Sequence, residues 1–93
     1  LFFLVVKALR KYIRSGNVTP ETARTRKSLG EVLKKHRTDS GMTQEFVAQA
    51  LGISRQAVSK WENGTSEPTT TNLIALAKLF GVAPEDLLQE VQK

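Results

Sequence analysis

Two pairs of polar residues, Arg55-Gln56 and Ser59-Lys60, stand four positions apart in a stretch that predicts an α-helix. Residues four apart lie on the same face of a helix, and the apolar Val58 falls mostly on the opposite side. Arginine, glutamine, serine and lysine side chains together carry many hydrogen-bond donors. We therefore predict that this face forms hydrogen bonds with a molecule outside the protein.

The surrounding stretch, residues 43–64, predicts two short helices joined by a tight turn. Thr43 and Ser54 are of the residue types that cap helix N-termini with a side-chain oxygen. Gly52 stands where the first helix would end in the left-handed conformation, which glycine adopts without strain. The stretch is therefore predicted to be a helix-turn-helix whose second helix, residues 54–62, carries the polar face.

Three further helices are predicted around this motif. A capping-box pattern, Ser28 followed by Glu31, marks the start of the first of them. After the motif, one helix ends at Gly81 and another begins at Pro84. No segment alternates apolar and polar residues for more than a few positions, so no sheet is expected. The prediction is an all-α domain of five short helices over residues 28–93.

Residues 1–15 predict an additional, amphipathic helix. Six apolar residues fall at helical spacing from Phe2 to Ile13, and four basic residues occupy the opposite face. Three interpretations stay open: the helix packs on its own domain or on a second copy, it lies on a membrane surface, or it ends a longer export or membrane segment, since the chain does not begin with methionine. The apolar run before Lys7 has six residues, whereas a membrane-spanning helix needs ~20. No integral membrane span is therefore predicted within this chain.

The segment between this amphipathic stretch and the domain is basic. A threonine-proline pair at 19–20 predicts that helix resumes there, and three basic residues, Arg24, Arg26 and Lys27, follow. One interpretation is a connector in solvent, and the other is an arm that contacts the phosphates or the minor groove of DNA. Together with the amphipathic stretch, this segment makes up the predicted N-terminal extension, residues 1–27.

The positive charge of the chain is concentrated in this extension. The 93 residues carry a formal net charge of +5 at pH 7. Residues 1–28 have seven basic and one acidic side chain, whereas residues 29–93 have seven basic and eight acidic side chains. A basic protein favours nucleic-acid binding, but here that argument holds only if the extension takes part.

The residue types exclude several other classes of protein. The chain has no cysteine, and nothing marks it for secretion, so we expect a cytoplasmic protein without disulfides. His36 is the only histidine, and alone it cannot build a metal site, so we expect it to be structural or exposed. No paired carboxylates, nucleophile–base set or glycine-rich phosphate loop appears. We therefore predict neither an enzyme nor a cofactor.

Residues 29–88 resemble the phage-repressor and Cro-like (XRE-type) helix-turn-helix family. The resemblance rests on many ordered positions rather than on the turn alone, and it covers about two-thirds of the chain. The matching residues are Leu29, Arg37, Gly41, Thr43-Gln44-Glu45, Val47-Ala48, Leu51-Gly52-Ile53-Ser54, Val58, Trp61-Glu62-Asn63-Gly64, Pro68, Leu73, Leu76, Ala77 and Phe80-Gly81-Val82. The resemblance implies a lambda-repressor-like fold of five helices that binds double-stranded DNA.

The resemblance also implies a role for the matching polar residues. Side chains of the recognition helix would contact base edges, where arginine favours guanine and glutamine favours adenine, each pair contributing roughly 1–3 kcal/mol of discrimination. These base contacts would come from Arg55, Gln56, Ser59 and Lys60. Phosphate contacts would come from Thr43, Gln44, Ser54, Asn63 and the backbone N–H groups of Gly64 and Thr65. Gln44 would also buttress the recognition helix, and Arg37 and Glu62 would form a partly buried ion pair.

Three positions depart from the family pattern. Phe46 replaces a residue that is usually polar and forms an apolar spot with Ala50, which we expect residues 1–13 to cover. Ala83 offers no capping side chain to the last helix, so we expect that helix to open more readily at its start. Glu67 stands in a loop where relatives are often basic, which should weaken the attraction for phosphate.

These observations together predict a sequence-specific DNA-binding regulator of transcription, a repressor, that acts as a homodimer. Two alternatives stay open. One is an antitoxin, in which residues 1–15 bind a protein partner, and the other is a helix-turn-helix domain used mainly for protein interaction. The polar recognition face argues against the second alternative, because interaction surfaces favour aromatic and aliphatic anchors.

Overall fold

The computed structural model describes residues 19–91, which form five α-helices and no strand. The helices are α1 (Pro20–Asp39), α2 (Gln44–Leu51), α3 (Arg55–Asn63), α4 (Thr70–Phe80) and α5 (Pro84–Glu90). The predicted all-α class is therefore confirmed, whereas the predicted helix over residues 1–15 lies outside the described residues. None of these five helices is both long and apolar enough to cross a membrane.

Short side-chain caps determine where most of these helices begin. In the first four helices a hydroxyl oxygen accepts a hydrogen bond from a backbone N–H of the first turn, and a cap of this kind contributes about 1 kcal/mol. The capping residues are Thr19, Thr43, Ser54 and Thr69. At the start of α5 the corresponding residue is Ala83, and no side chain caps that helix. The missing cap is confirmed.

For the start of α1, the prediction that helix resumes at Pro20 is confirmed, and the capping-box prediction is not. The capping-box pattern at Ser28 predicts a helix beginning there, but α1 runs unbroken from Pro20 to Asp39 and is about 30 Å long. The prediction was wrong because no proline or glycine separates Pro20 from Ser28, and the intervening arginine, alanine and lysine residues favour helix. The predicted domain boundary at residue 28 therefore falls inside a helix, and residues 20–27 are its first two turns.

All five helices contribute to one apolar core. Its buried members are Val32 and Leu33 of α1, Val47 and Ala48 of α2, Val58 and Trp61 of α3, Leu76 and Ala77 of α4, and Leu87 of α5. Each of these pairs is consecutive or three apart, so each helix presents one narrow apolar face. The polar side chains of α3 consequently lie outside the core.

The helices α1 and α3 cross closely at Gly30. A Cβ atom at Gly30 would overlap the carbonyl oxygen of Trp61 and would lie 2.6 Å from that of Glu62. Only glycine lets the two backbones approach this closely. The crossing places α1 directly against the last turn of α3, which fixes how α3 is presented.

His36 connects α1 with the last two helices. Its Nε2 atom lies 2.7 Å from Oε2 of Glu90, where Nε2–H donates to the carboxylate. Its ring also stacks on Phe80, with the two ring centroids 5.8 Å apart. The expectation that His36 is structural or exposed is confirmed, since the residue packs three helices together.

Candidate nucleic-acid interface

The four predicted base-contact residues lie on the outer side of α3. Arg55, Gln56 and Lys60 are exposed, and Ser59 is half-buried, while Val58 of the same helix is in the core. Within residues 19–91 the side chains of Arg55, Gln56 and Lys60 form no hydrogen bond or ion pair. Their donors are therefore available to an external partner, which is what reading a base edge requires.

The starts of α2 and α3 each present a capping hydroxyl. Oγ1 of Thr43 accepts from the N–H of Phe46 at 3.0 Å, and Oγ of Ser54 accepts from the N–H of Ala57 at 3.2 Å. A hydroxyl that accepts through a lone pair still has its own hydrogen to donate. Both residues can therefore cap a helix and donate to a phosphate oxygen at the same time.

Gln44 connects the start of α2 to the end of α3. Its Nε2 atom donates to Oε1 of Glu62 at 3.1 Å. The amide carries a second hydrogen, which is left for a ligand. The structure brings Gln44 onto the recognition helix, and its phosphate contact stays a prediction.

Arg37 and Glu62 form a two-point ion pair between α1 and α3. Nε of Arg37 lies 2.6 Å from Oε2 of Glu62, and Nη2 lies 3.0 Å from Oε1. Nη1 donates to the carbonyl oxygen of Met42 at 2.7 Å, in the segment that leads into α2. The two side chains are only 12% and 6% exposed, so water screens the pair weakly. With Gln44, this cluster holds the ends of three helices together, and we refer to Arg37, Gln44 and Glu62 as the brace.

The loop after α3 differs from the predicted phosphate clamp. The N–H of Gly64 donates to the carbonyl oxygen of Trp61 at 3.2 Å, and the N–H of Thr65 donates to that of Lys60 at 3.0 Å. Thr65 N–H and its hydroxyl also donate to Oδ1 of Asn63, at 3.0 and 2.7 Å. Gly64 has φ +81°, and this left-handed residue turns both N–H groups back onto the helix end.

The prediction for this loop is therefore corrected. The backbone N–H groups of Gly64 and Thr65 close the end of α3 and are not directed at a ligand. The Nδ2 group of Asn63 has no partner among the described residues, and Asn63 is exposed. Three groups of this loop were predicted to contact phosphate. Of these, only the side-chain amide of Asn63 has donor hydrogens without a partner among the described residues.

Glu67 pairs with α1, a contact that the sequence analysis missed. Nη2 of Arg26 donates to Oε1 of Glu67 at 3.3 Å. The two residues are 41 positions apart, and only the packing of α1 against the loop brings them together. The negative charge of Glu67 is thus partly offset by Arg26, so it should weaken phosphate attraction less than a free carboxylate would.

Phe46 forms an exposed apolar spot near this surface. Its side chain is 50% exposed, and Ala50, one turn later on α2, is exposed as well. The hypothesis that residues 1–13 cover Phe46 concerns a segment outside the described residues and stays a prediction.

Comparison with known proteins places this arrangement in a family. A family model described as Helix-turn-helix matches residues 33–87, from the middle of α1 to α5. The chain belongs to this helix-turn-helix family. The resemblance to phage repressors and the lambda-repressor-like fold are thereby confirmed, since the family's relatives include the C2 repressor of Salmonella phage P22.

Individual members show how far the likeness extends. The HTH-type transcriptional regulator DicA of Escherichia coli K12 is 43% identical over 61 residues, which are 66% of this chain and 45% of DicA. The crystal structure of the clp gene regulator ClgR from Corynebacterium glutamicum matches with a TM-score of 0.68 and 30% identity, over 71% of this chain and 70% of that one. The P22 c2 repressor in complex with a synthetic operator matches with a TM-score of 0.62 and 32% identity, over 67% of this chain and 94% of that one. The chain spans about half the length of the curated relatives it matches.

Proposed function

We propose that this helix-turn-helix protein is a sequence-specific double-stranded DNA-binding regulator of transcription, acting as a repressor. The observation that carries the proposal is the contrast within α3. Its outer face offers Arg55, Gln56 and Lys60, which have no partner in residues 19–91, while its last turn is held by the brace. Relatives named as transcriptional regulators and as a phage repressor support the same conclusion.

In the proposed complex α3 lies in the major groove with its first turn toward the base edges. The guanidinium of Arg55 donates to O6 and N7 of a guanine, and the amide of Gln56 pairs with N6 and N7 of an adenine. Ser59 and Lys60, one turn later, contact the neighbouring base pairs. The hydroxyls of Thr43 and Ser54 and the amides of Gln44 and Asn63 hold the phosphates on either side, which sets the register of α3.

The brace keeps this register. A binding site loses its side-chain geometry when its residues shift by about 1 Å. A recognition helix therefore needs rigid support. Arg37 supplies it from α1 and Gln44 supplies it from α2, both through hydrogen bonds to Glu62 of α3. Because Gln44 also stands at a phosphate-contact position, this residue would couple backbone contact to the placement of α3.

The proposal extends to the assembly and setting of the protein. A homodimer would place two copies of α3 about 34 Å apart, one turn of DNA, so that the operator consists of two half-sites. In this proposal the protein is cytoplasmic and binds DNA without catalysing a reaction. The regulators among the relatives favour this over the antitoxin alternative.

Selection of bound fragments from a random pool of duplex DNA, at near-physiological salt, tests the proposal. Wild type is expected to enrich a motif made of two half-sites about 10 bp apart. Arg55→Ala combined with Gln56→Ala removes both bidentate base contacts and should abolish the enrichment. Lys78→Ala, at an exposed position on α4, is the matched surface control and should enrich the wild-type motif.

The outcomes separate the parts of the proposal. Enrichment of a single half-site would keep DNA reading and reject the dimer. Binding without any enriched sequence, unchanged by the double substitution, would reject sequence-specific regulation.

A further inference from the structure

We propose that the first two turns of α1 form a second phosphate-binding edge, made by Arg24 and Lys27, that lengthens the DNA contact beyond the helix-turn-helix. The inference rests on the proposed function, because it adds a contact to the complex in which α3 lies in the groove. It concerns residues that precede the matched part of the chain, residues 33–87.

The position of Lys27 places this edge beside the recognition helix. The Cα atom of Lys27 would lie 3.0 Å from a Cβ atom at Gly64. Gly64 ends α3 and directly follows Asn63, whose free amide is the loop's candidate phosphate donor. The start of α1 therefore flanks the end of α3 on the surface that would follow the DNA backbone.

Arg24 continues the edge away from α3. Arg24 and Lys27 are both exposed, and residues three apart lie on one face of a helix. They are separated by about 4.5 Å along the helix axis, and both carry long side chains with a terminal positive charge. The two cations can thus contact neighbouring phosphates.

The Arg26–Glu67 ion pair links these turns to the loop after α3. Arg26 points from α1 to the loop, and its Nε atom is shielded from water without an acceptor among the described residues. The guanidinium of Arg26 therefore contacts the loop and not a ligand. In contrast, the side chains of Arg24 and Lys27 form no hydrogen bond or ion pair within residues 19–91. The ion pair thus fixes which side of the helix start faces the loop, and it leaves the side chains of Arg24 and Lys27 exposed.

The distribution of charge along the chain indicates why a basic edge on α1 would strengthen DNA binding. Residues 29–93 carry seven basic and eight acidic side chains, so the helix-turn-helix domain alone offers little attraction to DNA. Because the phosphate backbone supplies most of the affinity of DNA-binding proteins, the basic start of α1 supplies charge that the rest of the domain lacks.

Salt-dependent binding of the full chain tests this proposal without knowledge of the operator. Affinity for a fluorescent duplex of mixed sequence is measured over a range of potassium chloride concentrations. In the Arg24→Gln, Lys27→Gln double variant, the slope of log affinity against log salt should fall by roughly 2, since each phosphate contact contributes about 0.9. The control, Lys35→Gln with Lys78→Gln, removes the same charge from exposed positions elsewhere and should keep the wild-type slope. The charge-conserving variant Arg24→Lys, Lys27→Arg should keep it too.

The results distinguish failure of the edge from failure of the proposed function. An unchanged slope in the Arg24→Gln, Lys27→Gln variant overturns the edge, and so does an equal fall in the control, which would mean that only net charge matters. Either result is compatible with sequence selection by α3. A lowered slope in the double variant alone, found in a protein that enriches no sequence, would support the edge and reject the proposed regulator.

Discussion

The two ends of α3 differ in burial and in how many of their side chains form hydrogen bonds within the described chain. At its end, Trp61 is buried, and the carboxylate of Glu62 accepts three hydrogen bonds, two from Arg37 and one from Gln44. At its start, the hydroxyl of Ser54 caps the helix, and the side chains of Arg55 and Gln56 have no partner among the described residues. The whole helix is only nine residues, or about 13.5 Å, long.

This difference shows how one short helix can be held rigidly at one end and still present hydrogen-bond donors to a ligand at the other. Hydrogen-bond donors that are to recognise a ligand must be unsatisfied in the free protein, and such groups contribute nothing to its stability. The rigidity that recognition needs has to come from elsewhere, and here it comes from the brace and from the α1–α3 crossing at Gly30. Loss of a brace residue should therefore lower stability, whereas loss of Arg55 and Gln56 should lower recognition and leave stability nearly unchanged.

The largest effect is expected from breaking the brace with Glu62→Ala. The substitution leaves the guanidinium of Arg37 and the amide of Gln44 without their shared acceptor in a poorly solvated site. Removing one partner of a buried pair costs roughly 3–5 kcal/mol of unfolding free energy, measurable by urea denaturation. Glu67→Ala is the matched control, because its carboxylate is 52% exposed and an exposed pair contributes at most about 1 kcal/mol. Equal losses in the two variants would mean that the brace does not hold α3.

A smaller effect is expected from Gly30→Ala, which acts on the same end of α3. The added Cβ would overlap backbone oxygens of Trp61 and Glu62, and forced overpacking costs roughly 1–3 kcal/mol. Alanine recovers up to about 1 kcal/mol through its helix propensity, so we expect a net loss of about 1–2 kcal/mol in thermal or urea unfolding. Glu31→Ala, at the next and exposed position of α1, serves as control and should change stability by less than about 0.5 kcal/mol. A stabilised Gly30→Ala protein would refute the close crossing.

A still smaller effect on stability than that of Gly30→Ala is expected from Ser54→Ala, which also separates the two ends by their effect on DNA binding. Loss of the cap on α3 should cost about 1 kcal/mol. Thr69→Ala removes an equivalent cap from α4 and should cost a similar amount. Ser54→Ala should in addition weaken DNA binding in an anisotropy titration, because in the proposed complex the hydroxyl also donates to a phosphate, whereas Thr69→Ala should not. If both variants bind DNA equally well, the hydroxyl of Ser54 has only a structural role.

Much of the fold was predictable because its signals are local. Caps such as Thr43 and Ser54 satisfy the free N–H groups of their own helix, and a glycine such as Gly52 ends its helix with φ +71°. Apolar residues at helical spacing then select the buried face. These rules operate within a few residues, so they can be read without knowing the tertiary structure.

The features that the sequence analysis missed or misjudged depend on longer-range or competing interactions. The pattern from Ser28 to Glu31 is compatible with a helix start, but the preceding turns are helical and no breaking residue stops them. Gly64 is itself a signal that the N–H groups of residues 64 and 65 close the end of α3. The resemblance to the family instead predicted that these N–H groups contact a phosphate. The Arg26–Glu67 pair has no local signal, because two oppositely charged residues 41 positions apart are a common occurrence in any chain.

The most direct test of the central claim measures stability and sequence preference on the same variant, Arg55→Ala with Gln56→Ala. Urea unfolding should give a free energy within about 0.5 kcal/mol of wild type, as for other exposed positions. The ratio of affinities for the selected duplex and for a scrambled duplex should fall by at least about tenfold, since each bidentate contact contributes roughly 1–3 kcal/mol of discrimination. A folded variant that keeps the wild-type ratio would contradict the claim that the open start of α3 reads DNA.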